Sequence, residues 1–259
     1  MRHLALVLSL SVGLSASADA DFKPSQRQQV ELGKRAAADF RKHEKILPKT
    51  DIRVTTLKRV ARRLLDTFSD GDKPWEYSFD VVESKEVNAF ALPGGPVFFY
   101  TGLLEKMKSE DELAAVLAHE LVHVRKEHWA YAYRDSMNRS LVLNILLMVG
   151  KANDNAANLA GIANELIFEL PFSRKHEIEA DNLGFDMMTA AGYNPSGMVK
   201  VFQTLKGEAK GGGPEWASTH PDDGRRIKNI EARVAKGGKY PALIPMELPK
   251  ADPKTKKGD

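Results

Sequence analysis

Residues 113–124 read Leu-Ala-Ala-Val-Leu-Ala-His-Glu-Leu-Val-His-Val, and this run decides the fold. It is apolar on nearly every side, the pattern of a helix at the centre of a domain. Yet it carries His119, Glu120 and His123. Polar groups are costly to bury without partners, so these three must be satisfied together. Residues four apart lie on one helical face, so the imidazoles of His119 and His123 can converge on one metal ion while Glu120 reaches a water beside it. Zinc suits this spacing, with Glu120 as the general base. Ser109, followed three residues later by Glu112, is the capping box expected to open the helix.

A catalytic zinc takes three protein ligands and keeps a position open for water, so a third donor is required. The continuation x-x-Gly-x-x-His fails, because Lys126 stands at the Gly position and Trp129 at that of the third His. His128 falls one residue early. Cysteine is absent, which leaves His or a carboxylate as the donor. Farther along, Glu177-Ile178-Glu179-Ala180-Asp181 places Glu177 and Asp181 one turn apart. That pair offers a ligand and a second carboxylate able to hold a ligand imidazole, while Glu179 points elsewhere. His3, His43, His128 and His176 receive no role, and His176, next to Glu177, faces another side of its helix.

Three further stretches carry a resemblance. Ser173-Arg174-Lys175-His176-Glu177-Ile178-Glu179-Ala180-Asp181, Asn88-Ala89-Phe90-Ala91-Leu92-Pro93-Gly94-Gly95 and His220-Pro221, together with the His-Glu-x-x-His run, resemble the M48 family of zinc metallopeptidases, with its Ste24, HtpX and Oma1 groups. The likeness covers roughly residues 50–235 and implies an exported bacterial type without a repeat domain. It implies Glu177 as the third zinc ligand and Asp181 as the carboxylate that orients an imidazole, His119 by preference. It also implies that Asn88, with Ala89 and Phe90, binds substrate main chain beside the metal. Packing of Phe90 in the core and turn-capping by Asn88 is the plainer reading of the same residues. His220 is implied either as a donor to the developing oxyanion or as a fourth ligand at rest, and the need for an open metal position favours the former. Arg225 or Arg226 is placed to brace a carboxylate of the site, and the sequence does not decide which.

The rest of the chain frames this site. With 259 residues, 42% of them hydrophobic, it can bury a full core, and a formal charge of +3 spread along the chain gives no stripe for nucleic acid. Residues 1–20 read as an export signal, with Arg2, an apolar stretch over 4–14 and Ala18-Asp19-Ala20 as the cleavage site. The expected division is that signal, a helical segment over 21–50, a zinc peptidase domain over 51–235 and a poorly ordered Pro- and Lys-rich tail over 236–259. Helices are expected over 25–46 and 51–68, and strands over 75–83, 87–92 and 97–100. The apolar stretch 141–149 and the small residues of 156–163 read as a buried helical hairpin, with a lid or membrane-surface segment as the alternative.

The expectation is therefore an α+β, mainly helical gluzincin with a small sheet whose edge strand flanks the zinc helix. By resemblance it binds one zinc per chain and hydrolyses extended or misfolded polypeptides. The export signal and the family together point to the periplasm, to envelope protein quality control and to envelope or membrane-surface partners. The alternatives are a zinc-holding chaperone or adaptor with a closed site, and a metal-free binding module.

Overall fold

The computed structural model describes residues 23–69, 75–135, 172–208, 216, 220 and 224–249. Its elements run α1 (Gln26–His43), α2 (Ile52–Leu65), β1 (Ser78–Val82), β2 (Ala89–Ala91), β3 (Pro96–Tyr100), α3 (Thr101–Lys106), α4 (Glu110–Arg125) and α5 (His128–Asp135). After these come α6 (Arg174–Ala190), α7 (Ser196–Glu208) and α8 (Arg225–Lys236). The fold is α+β and mainly helical, as expected. The expected export signal and the expected helical hairpin within 141–170 fall on residues outside those described. Among those residues no helix is long and apolar enough to cross a membrane.

Helix α4 is the axis of the domain, and every residue from Glu110 to Val124 is buried. Its Ser109 cap is made, the hydroxyl accepting from the Glu112 N–H at 3.3 Å. Glu112 does not close the capping box on Ser109 N–H; its carboxylate accepts from the Lys108 N–H instead. One hydrophobic cluster joins α4 to α2, α6, α7 and one face of the sheet. A smaller cluster joins α1 and α5 to the other face. Strand alternation sorts the side chains: Ala89, Val97 and Phe99 lie in the first cluster, Phe90, Phe98 and Tyr100 in the second.

The sheet has the order β1-β3-β2, with β1 parallel and β2 antiparallel to β3. This puts β2 on an edge beside α4. Phe90 pairs with Phe98, the Leu92 N–H donates to Pro96 and the Tyr100 N–H donates to Asn88. Residues 88, 90 and 92 therefore bond β3, and the main-chain groups of Ala89 and Ala91 face away from it.

Two backbone features bring the functional helices together. Gly184 on α6 lies against α4, where an added Cβ would stand 3.3 Å from the His119 nitrogen. Glu177 and Asp181 share its helical face, so this close approach carries them to α4. At the other end of α4 the chain turns through Glu127, whose φ of 54° is left-handed. Such a backbone costs a non-glycine residue about 1–3 kcal/mol and must be held by its surroundings. The Glu127 carboxylate takes Gln29 Nε2 and Lys23 Nζ, each at 2.8 Å, from the chain at α1.

One expectation needs correction. The tail does not begin near residue 236, because residues 244–246 lie across the start of α4 and bond it. Glu110 N–H donates to Ile244, Met246 N–H donates to Lys108, and the buried Asp111 carboxylate takes the Ile244 N–H at 2.7 Å. Ile244, Met246 and Leu248 also pack on the main cluster. Although rich in proline, this segment is an extended strap, held by main-chain hydrogen bonds and by apolar residues that find a surface.

The contact of α1 with the β2–β3 turn gives a prediction. A Cβ on Gly33 would fall 1.7 Å from the Pro93 carbonyl oxygen. Alanine is better than glycine in a helix by about 1 kcal/mol, but overpacking costs about 1–3 kcal/mol. Gly33→Ala should therefore lower the thermal midpoint; a raised midpoint would show that α1 does not rest on this turn.

Candidate metal centre

Helix α4 presents His119 and His123 one turn apart, with their Nε2 atoms 3.0 Å from each other. Glu177 comes from the first turn of α6, Oε2 lying 3.4 Å from His119 Nε2 and Oε1 3.4 Å from His123 Nε2. His220 completes the group, its Nδ1 being 3.2 Å from His119 Nε2 and 3.1 Å from Glu177 Oε1. One donor atom from each of the four residues lies within 4.8 Å of all the others, and all four residues are buried.

Charge counting tests whether a metal suits this site. Glu120, Glu177 and Asp181 are buried carboxylates, and Arg226 is the buried guanidinium that faces two of them. With neutral imidazoles the pocket holds two negative charges in excess, which a divalent cation balances. Without one, a proton on His119 offsets one of the two: burial opposes charge on His119, but Asp181 and Glu177 outweigh it and raise its pKa to about 9. Burial and the charge on His119 push His123 well below the usual imidazole range. Glu177, despite its burial, is held well below the carboxylate range by His220 and His119. Two nitrogens and a carboxylate oxygen, with a third imidazole at the same distance, fit zinc's preference for His and carboxylate donors.

Each side chain of the group is held from behind. Asp181 Oδ1 lies 3.0 Å from His119 Nδ1, and Arg226 grips the same carboxylate through Nε at 2.7 Å and Nη2 at 2.8 Å. The third guanidinium nitrogen lies 2.7 Å from Glu177 Oε2 and donates to the His220 carbonyl at 3.2 Å. Of the two arginines left open by the sequence, Arg226 is thus the one that braces carboxylates of the site. Glu120 is fixed at both oxygens, Oε2 accepting from the Ala91 N–H at 3.1 Å and Oε1 from Trp216 Nε1 at 3.3 Å. The Trp216 ring stacks on His220, 4.8 Å between centroids.

Asn88 is buried, with neither polar atom of its side chain partnered among the described residues. It therefore caps no turn there, and no hydrogen bond ties it to the metal cluster. Ala89 and Phe90 lie on the edge strand that meets Glu120. Two residues without an assigned role prove to be close. His128 Nδ1 lies 3.1 Å from His123 Nδ1, and His176 stacks on His128 at 4.5 Å. Trp216 had no signal in the sequence, since a lone tryptophan outside any motif has nothing to set it apart.

Comparison with known proteins gives the same family. The model of peptidase family M48 matches residues 51–234. The mitochondrial metalloendopeptidase OMA1 of Schizosaccharomyces pombe is 33% identical over 190 residues, covering 73% of this chain and 55% of that protein. The protein of the same name in Arabidopsis thaliana is 37% identical over 151 residues, 57% of this chain and 30% of its own length. A putative beta-barrel assembly-enhancing protease of Vibrio cholerae is 29% identical over 196 residues, 72% of this chain and 40% of that protein. The chain thus spans about half or less of these relatives' lengths.

The Arg226 fork is testable. Removing it strands two buried carboxylates, and breaking a buried ion pair from one side costs about 3–5 kcal/mol. Arg226→Ala should lower the urea midpoint of the metal-free protein accordingly, and Arg226→Lys should recover only part, because lysine lacks the planar fork. A parental midpoint in Arg226→Ala would mean that the guanidinium does not balance these charges.

Proposed function

The chain belongs to peptidase family M48, and on that premise we propose that it is a zinc-dependent endopeptidase acting on extended or misfolded polypeptides. The observation that carries this reading is the convergence of His119, His123 and Glu177 beside Glu120, which a sheet edge holds through the Ala91 N–H. Zinc held by these three residues would supply a Lewis acid that polarises the attacking water and the scissile carbonyl. Glu120 takes a proton from that water and passes it to the leaving amine. Ala91 and Trp216, one on each oxygen, keep the carboxylate aimed. Asp181 holds the proton on His119 Nδ1 and so leaves Nε2 free to ligate.

The substrate would lie extended along β2, adding itself as a strand through main-chain hydrogen bonds. Support comes from Ala89, whose N–H and C=O face away from β3, and from the buried amide of Asn88, which has no partner among the described residues. A buried amide without partners is costly, so it is a group ready to bond a peptide that arrives there.

For His220 the distances favour the role of fourth ligand at rest over that of oxyanion donor, because its Nδ1 stands as close to the donors as they stand to each other. In that state it fills the position that water needs, and it must withdraw for turnover. The same closure supports a second reading, a zinc-holding chaperone or adaptor that seldom cleaves. We further propose export to the periplasm and a part in envelope quality control. This rests on the pattern of residues 1–20 and on the likeness to the Vibrio cholerae protein. Amino-terminal sequencing should find Asp21 first, and retention of residues 1–20 would sink it.

Three substitutions separate the readings, with zinc measured by elemental analysis and cleavage on an unfolded protein. Glu120→Gln should abolish cleavage and keep one zinc per chain, whereas Glu177→Ala should weaken zinc binding itself. His220→Ala should keep zinc and raise basal cleavage. A fall of roughly a hundredfold with zinc retained would instead make His220 the oxyanion donor. No cleavage by either the parent or His220→Ala would favour the chaperone.

A further inference from the structure

The two imidazoles of α4 are backed by different partners. His119 has the Asp181 carboxylate behind it, while His123 has another imidazole, with the two Nδ1 atoms of His123 and His128 3.1 Å apart. At that distance one nitrogen must donate and the other accept. A histidine that ligates through Nε2 carries its proton on Nδ1, so His123 is the donor and His128 the acceptor. The proton of neutral His128 then sits on Nε2, facing Glu179 Oε2 at 3.5 Å.

This contact does not follow from helix geometry. On an uninterrupted α4 a residue five positions beyond His123 would lie about 140° round the cylinder. The left-handed turn at Glu127 ends α4 and starts α5 with His128, which brings the ring back. Gln29 and Lys23 hold that strained turn from the segment at α1. Both rings are also clamped: His176 stacks on His128 with 13° between the planes, and Phe172 covers His123 at 3.9 Å. His128 itself is 1% exposed.

We propose that His128 is the positioning residue for His123, its bare Nδ1 accepting the His123 Nδ1 proton and so fixing Nε2 as the metal donor. The inference rests on the zinc reading and deepens it. It assigns the strained turn a purpose, since relaxing Glu127 would remove the acceptor from behind the ligand. It also makes the two supports unlike. A carboxylate backs His119 and a neutral ring backs His123, so the second imidazole is oriented without bringing a further negative charge into a pocket that already holds an excess.

The test begins with the zinc-loaded full chain labelled with nitrogen-15 at histidine. Long-range nitrogen–proton correlation should show His123 protonated on Nδ1, and His128 protonated on Nε2 with a bare Nδ1. A proton on His128 Nδ1 overturns the proposal without any variant. Zinc affinity is then measured by competition with a chromogenic chelator. His128→Phe should bind roughly ten- to a hundredfold more weakly. His128→Asn, which keeps an acceptor oxygen near the place of Nδ1, should recover most of that loss. Parental affinity in His128→Phe overturns the proposal, and so does His128→Asn as weak as His128→Phe, which would reduce His128 to a packing role. A parent chain that takes up no zinc fails the metal reading itself and removes this inference with it, a result seen before any His128 variant is made.

Discussion

The guanidinium of Arg226 is the interaction on which the centre of this domain depends. Helices α4 and α6 bury three carboxylates and two imidazoles in one place, and His220 adds a third imidazole, where unpaired charge is prohibitively costly. Arg226 reaches Asp181 with two nitrogens, Glu177 with the third, and the carbonyl of His220 with that same third nitrogen. It thereby links the carboxylate behind His119, the proposed ligand Glu177 and the segment that carries His220. The ring faces of Phe202 and Trp216 lie 5.0 and 5.7 Å from it, so the cation is sealed by aromatic surface as well as paired. Charge balance then calls for a further cation between the imidazoles, and four donors already converge on that point.

Packing serves the same end. Gly184 lets α6 lie against α4 at the level of His119, and the helical face shared by Gly184, Asp181 and Glu177 turns that approach into a donor set. The sheet adds one further contact, the Ala91 N–H on Glu120, and it does so from an edge strand on which Ala89 also turns its main-chain groups away from β3. Glu120, the proposed base, is held by a strand edge where an added strand would pass, which joins it to the proposed substrate path in one element.

The family match runs over residues 51–234, yet two groups before it hold part of this arrangement. Gln29 and Lys23 bind the Glu127 carboxylate, and Gly33 seats α1 on the β2–β3 turn. At the other end the 244–246 strap bonds the start of α4, with Asp111 taking main-chain N–H groups from both Asn194 and Ile244. The helix with the metal-binding pattern is therefore fastened at each end by chain that lies outside it in sequence.

By itself the sequence determined what depends on short helical spacing. His119, Glu120 and His123 are set by positions i, i+1 and i+4 of one apolar helix, Glu177 and Asp181 by one turn of another, and the sheet by three runs around Pro93-Gly94-Gly95-Pro96. Local periodicity fixes such relations before any tertiary contact forms. Tertiary structure alone decided the rest. Arg225 and Arg226 are alike until α8 packs and turns one of them inward; Trp216 meets Glu120, 96 positions earlier in the chain; His128 reaches His123 because Glu127 adopts a backbone that no residue pattern marks. The strap shows the same limit from the other side. Its prolines look like a free end in sequence, and it is the Glu110 N–H and the Asp111 carboxylate at the start of α4 that make it a bound segment. Each of these depends on which distant surface the chain meets, a quantity that spacing along the chain does not contain.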